Sequence, residues 1–152
     1  MNVILPENKH KSANKNITEV LSPVAEVLFK SYKLLQQVAR RATNKSLQTI
    51  IYGLAEEANK HYRELASQFQ VSPNYSQNAD IILFSKEKRY DNSEELINDC
   101  SAIENAIERC YESLSDNVMM KREVRFLLQQ HLNRFLSAFD NLKVLKNYSL
   151  HN

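Results

Sequence analysis

A chain of 152 residues has the size of one ordinary domain, and 43% hydrophobic residues supply enough apolar surface to fill a core. A single Gly and three Pro leave too few turn-formers for a sheet protein, so long helices are the expected state. The 20 Lys and Arg nearly balance the 18 Asp and Glu, and a net charge of +2 imposes neither nucleic acid nor anionic membrane as a partner.

Residues 1 to 16, MNVILPENKHKSANKN, are polar and aperiodic and read as a mobile N-terminal arm. Pro, Glu and Lys interrupt it too early for a signal peptide. Nowhere do about 18 apolar residues run together, so no membrane span is expected and the chain reads as cytoplasmic. One domain then covers residues 17 to 147, with 148 to 152 a tail. Ser22-Pro23 predicts the start of the first regular helix, with Pro at its first position. Val24, Leu28, Ser31, Leu35, Val38 and Ala42 follow at alternating four and three spacing, which predicts a helix over about 22–42. Thr43-Asn44 breaks the pattern and offers an N-cap to a second helix over about 45–69. Its seam is Leu47, Ile51, Leu54, Ala58, His61 and Leu65. Gly53 within it is a local weakness, read as a point of close helix packing.

Residues 70 to 92 change texture, with the apolar knot Ile81-Ile82-Leu83-Phe84 among polar residues. So long a connection suits a crossover running along a bundle, the knot pinned against the helices. Asp91 and Glu94 have capping-box spacing before a third helix over about 93–115. That helix carries Ile97, Cys100, Glu104, Ile107, Tyr111 and Leu114 on its seam. Cys100 and Cys110 lie roughly 15 Å apart along it, too far to bridge, and read as small hydrophobes. Asp116-Asn117 ends the pattern. A fourth helix, about 118–147, repeats Val124, Leu128, His131, Phe135, Ala138, Leu142 and Leu145. The expected fold is all-α: a four-helix bundle of two helical hairpins joined by one long crossover.

Each seam holds a polar residue near its middle: Ser31, His61, Glu104 and His131. Counted from the connection in each hairpin, Ser31, Glu57, Glu104 and His131 fall at similar depth, with His61 one turn beyond Glu57. Glu57, His61, Glu104 and His131 therefore form the candidate metal set, against the plainer reading of a structural His–Glu layer that fixes register. Two carboxylates and two histidines suit one Zn²⁺-like ion better than two irons, which need bridging carboxylates from every helix. The first helix offers Lys33 near Ser31 and no acid at that depth. His10 and His151 fall in the tails. There is no Gly-rich phosphate loop, nucleophile elbow or CxxC. The basic clusters Arg40-Arg41 with Lys45, and Lys86 to Arg89, read as solvated helix ends rather than a nucleic-acid surface.

The stretch ITEVLSPVAEVLFKSYKLLQQVARRATNKSLQTIIYGLAEEANKHYREL resembles the first hairpin of a bacterial family of ferritin-like four-helix-bundle proteins of unknown function. EELINDCSAIENAIERCYESLSDN followed by EVRFLLQQHLNRFLSAFDNLKVL resembles the second, with Cys100 and Glu104, the Gln130-His131 pair and Asp140 in similar places. The resemblance implies a ferritin-like fold and a stress-associated protein without established catalysis. Lys33 stands where it implies an acid, Phe139 where His can stand, and the crossover lacks the implied Gly-rich entry. The leading expectation is a non-catalytic cytoplasmic bundle, without a cofactor, acting through protein contacts, including a homodimer. The alternative is a degenerate metal-binding protein or metal-carboxylate oxidoreductase holding one transition-metal ion.

Overall fold

A computed structural model describes the backbone of residues 4–72, 90, 92–115 and 120–151, and the side chains of 17–72, 90, 92–114 and 120–145. Four helices make up the described fold, α1 (Ile4–Arg41), α2 (Lys45–Phe69), α3 (Ser93–Ser115) and α4 (Arg122–His151), with no strand among the described residues. α1 begins far upstream of Ser22-Pro23 and carries Pro23 inside it, so helix replaces the expected arm from Ile4 onward. Pro23 removes only the N–H that would reach the Glu19 carbonyl, and Pro6 falls in the first turn, where N–H groups lack intrahelical partners anyway. Between them no Gly or Pro intervenes, and extending an existing helix is far easier than nucleating one. Arg40 and Arg41 close α1 and complement its negative end.

α2 starts where its cap dictates. Asn44 is extended (φ −86, ψ 122), and its side chain accepts from the Ser46 and Leu47 amides at 2.9 and 3.1 Å. It ends at Gln70, which takes the left-handed conformation (φ 53, ψ 40) that glycine usually supplies. Gly53 does not mark close packing. It is exposed, and a Cβ built there meets nothing within 4 Å. On α3 the amide of Glu95 donates to Asn92 Oδ1 at 2.8 Å, so Asn92 caps the helix. Asp91 of the expected capping box lies outside the described residues, as do the knot Ile81–Phe84 and residues 116–119. α4 begins at Arg122 rather than 118 and runs to His151.

Two contacts fix the connectivity. Thr18 Oγ1 donates to the Phe69 carbonyl at 3.5 Å, placing the end of α2 beside Thr18 of α1. The Tyr90 amide donates to the Arg41 carbonyl at 3.2 Å, and the Arg41 guanidinium lies 4.6 Å from the Tyr90 ring centroid. From Thr18 to Arg41, α1 rises about 35 Å. Between Phe69 and Tyr90 the chain therefore travels from one end of the bundle to the other, and α2 and α3 run parallel to each other, antiparallel to α1. α1 packs on α2 and α3, and α4 packs on the same two, leaving α1–α4 and α2–α3 as diagonals. Tyr90 is further secured by donating to Asp99 Oδ2 at 2.7 Å.

The core is apolar, with Phe135 and Phe139 its largest fully buried side chains. Among the described residues, four buried polar ones interrupt it: Ser31, His61, Glu104 and His131. Both cysteines are free, Cys100 buried and Cys110 half-buried, and burial pushes their thiols up to about 12 and about 11. They are inert at neutral pH. No described helix is long and apolar enough to cross a membrane.

Candidate metal centre

Three residues of α2 share one face because they are spaced by four and three: Glu57, His61 and Glu64. α4 crosses them with His131, and α3 brings Tyr111 to the far side of that ring. His61 has no solvent exposure and lies between two rings, His131 at 4.0 Å and Phe135 at 4.8 Å between centroids. Glu57 Oε1 stands 2.9 Å from His61 Nε2 but out of hydrogen-bonding alignment, and neither ring nitrogen of His61 has a hydrogen-bond partner. Buried imidazole nitrogens are rarely left this way, and each orphaned group costs about 1–3 kcal/mol.

His131 is better provided for. Its Nε2 lies 3.2 Å from Glu64 Oε2, and its Nδ1 lies 3.4 Å from the Tyr111 hydroxyl. Burial lowers the pKa of both histidines. For His61 burial acts first and the neighbouring His131 second, and together with Arg134 and Lys60 they hold it at about 3. For His131 burial outweighs the opposing pull of Glu64. Both rings are neutral at pH 7 and present lone pairs, the form a metal requires. Burial also holds the Tyr111 phenol well above its ordinary pKa.

Of the sequence-predicted set, Glu57, His61 and His131 come together. Glu104 does not. It is buried on the other side of the bundle axis from α2, and both its oxygens take Lys143 Nζ of α4 at 3.2 Å. The expectation of equal depth takes Asp116-Asn117 as the break, but α4 starts only at Arg122, which displaces its residues along the axis. Tyr111, seven residues or roughly 10 Å along α3 from Glu104, is the residue level with His131. Glu64 is the member that the sequence reading missed. The signal was present: an acid three residues after a histidine shares its face as surely as one three residues before.

One donor atom each from His61, Glu64 and His131 lie within 4.8 Å of one another, with both histidines buried and Glu64 part-exposed. Ligands on one tetrahedral Zn²⁺ sit roughly 3.4 Å apart, from bond lengths near 2.0–2.2 Å. His131 Nε2 and Glu64 Oε2 already stand 3.2 Å apart, so closing the site needs only about 1 Å of approach between that pair and His61. Two nitrogens and a carboxylate match the donors of a mononuclear zinc-type site with one position open. They do not fit two irons. α1 offers the buried hydroxyl of Ser31, its Lys33 faces outward over the Phe29 ring at 4.7 Å, and Glu104 is neutralised by Lys143. A cavity of about 30 Å³ adjoins the site between α3 and α4, lined by Tyr111, Glu112, Arg125, Leu128, Gln129 and Leu132.

Compared with known protein families, curated proteins and solved structures, the chain matches none.

Proposed function

We propose that this protein is a ferritin-like bundle turned to mononuclear use, binding one divalent transition-metal ion of the Zn²⁺ class through His61, Glu64 and His131. Glu57 stands at the solvent side of His61 and assists capture. The observation that carries this reading is His61 itself, fully buried and neutral, with Nδ1 unpartnered and Nε2 only in a misaligned 2.9 Å contact with Glu57, beside a second neutral histidine. A purely structural histidine would satisfy at least one nitrogen, because an apolar side chain of similar volume packs there without loss. The test is metal analysis of protein purified without chelator or affinity tag, followed by Co²⁺ and Zn²⁺ titration of the chelated protein. One ion per chain is expected, lost in His61→Ala and His131→Ala and weakened tenfold or more in Glu64→Gln. Glu104→Gln should bind as the parent does. A folded parent protein that takes up no ion at micromolar concentrations refutes the reading.

A second reading, association of two copies through the outer face of α4, rests on a separate observation. Phe126 and Val144 are 65% and 63% exposed and lie five full turns apart on one line of the helix. Between them Gln130, Asn133, Ser137 and Asn141 are exposed and uncharged, and Asp140, 68% exposed, is the one acid close to that line. A two-fold interface brings the same patch of both copies together, residue i against j and j against i, so a stripe with a single acid meets little self-repulsion. Light scattering should give a dimer for the parent and a monomer for Phe126→Ser with Val144→Ser; a parent that stays monomeric at high concentration removes this reading.

A further inference from the structure

We infer that Tyr111 is the positioning residue of His131, its hydroxyl donating to Nδ1 in the metal-free site and accepting from Nδ1–H once Nε2 holds an ion. The inference rests on the metal site proposed above and adds the device that lets one imidazole serve both states.

The geometry sets the metal-free arrangement. An ionised Glu64 carboxylate can only accept, so the His131 nitrogen 3.2 Å away, Nε2, carries the ring's hydrogen. A neutral imidazole has one hydrogen, which leaves Nδ1 as a bare acceptor. Facing Nδ1 at 3.4 Å is the Tyr111 hydroxyl, and the two rings meet nearly edge-on at 78°, so the phenol reaches the ring edge where the nitrogen lone pair lies. Tyr111 is 2% exposed and its ring is fixed by burial, not by solvent.

A metal reverses that arrangement. Coordination uses the Nε2 lone pair, so the Nε2 proton leaves to water and Nδ1 takes one from water. His131 holds one proton in each state and none is released overall. The new Nδ1–H then needs an acceptor. A hydroxyl is the group that meets both demands, since it carries one donor hydrogen and two acceptor lone pairs. As its oxygen becomes the acceptor, the hydroxyl hydrogen must turn elsewhere. Tyr111 also lines the cavity between α3 and α4, whose volume of about 30 Å³ has room for a water that can accept it. A carboxylate at residue 111 would serve only the metal-bound state, and a phenyl ring neither. Outer partners of this kind orient a ligating histidine and typically account for 10–100-fold of metal affinity.

The experiment reads the ring and the affinity separately. ¹⁵N spectra of the His131 ring should show hydrogen on Nε2 in the metal-free parent and on Nδ1 in the Zn²⁺-loaded parent. Tyr111→Phe, which removes one oxygen from a filled site, should mix the two tautomers in the metal-free protein and weaken Zn²⁺ binding by 10-fold or more. A metal-free parent with hydrogen on Nδ1 overturns the inference, and that measurement needs no variant. So does Zn²⁺ affinity in Tyr111→Phe within twofold of the parent. Failure of the parent to bind any ion removes the metal site as well, whereas parent binding with an indifferent Tyr111→Phe removes this inference alone.

Discussion

Acidification should weaken the metal-free protein well before its carboxylates titrate, and His61 sets the size of the effect. Its folded pKa is held at about 3, against 6.5 for an exposed imidazole. Between those values the unfolded chain binds the proton and the folded chain does not. Stability from this group is therefore complete above pH 6.5 and is lost as pH falls toward 3. One pKa unit corresponds to about 1.4 kcal/mol, so the loss at pH 5 is about 2 kcal/mol. No discount for solvent applies, because the side chain is fully buried. His131 is shifted the same way and adds to the slope. Urea unfolding in the presence of a chelator at pH 7, 6 and 5 measures the total. His61→Gln, which has no proton to gain, isolates the His61 share. The parent-minus-variant difference should fall by about 2 kcal/mol from pH 7 to pH 5. A flat difference, or ring proton shifts of His61 that titrate near 6.5 in the folded protein, would refute the reasoning.

Three further outcomes follow from the helices. Gly53→Ala should raise stability by about 1 kcal/mol and Tm by about 2–4 °C, since the site is open and alanine is the better helix former; calorimetry that shows a lower Tm would mean the backbone there needs glycine. Asn44→Ala should cost about 1 kcal/mol by orphaning the Ser46 and Leu47 amides, read as a shift of the urea midpoint with unchanged slope. Gln70→Gly should stabilise by about 0.5 kcal/mol, because relief of left-handed strain exceeds the entropy that glycine adds to the unfolded chain; a loss of stability in thermal melts would contradict it.

The fold was legible in the sequence wherever periodicity and caps acted together. The α2 seam ends against Asn44 on one side and Phe69 on the other, and both signals are local. The start of α1 was not legible, because proline is equally at home in a first turn and, at the loss of one hydrogen bond, within a helix already under way. For the site, sequence placed His61 and His131 on inward stripes, and burial follows from that. It could not decide which acids meet them. The choice between Glu104 and Glu64 depends on axial offset between α3 and α4, set by a connection whose length in space no residue pattern encodes. Gly53 misled for a related reason: a missing side chain signals close approach or mere tolerance, and only the surroundings distinguish them.

The two arms that meet at His61 come from different halves of the chain. Glu64 and His131 are 67 positions apart in sequence, and the segment between them contains the whole passage from α2 to α3. An ion held by this trio would close a loop of that length, as a cross-link does, and in an unfolded chain such a closure is opposed by about 4 kcal/mol of entropy. The unfolded chain would release the ion, so the binding energy would accrue to the native state alone. The hairpins would then behave as two parts of a reversible clasp. Chain cut between residues 72 and 90 should hold together while the ion is present and come apart when a chelator removes it.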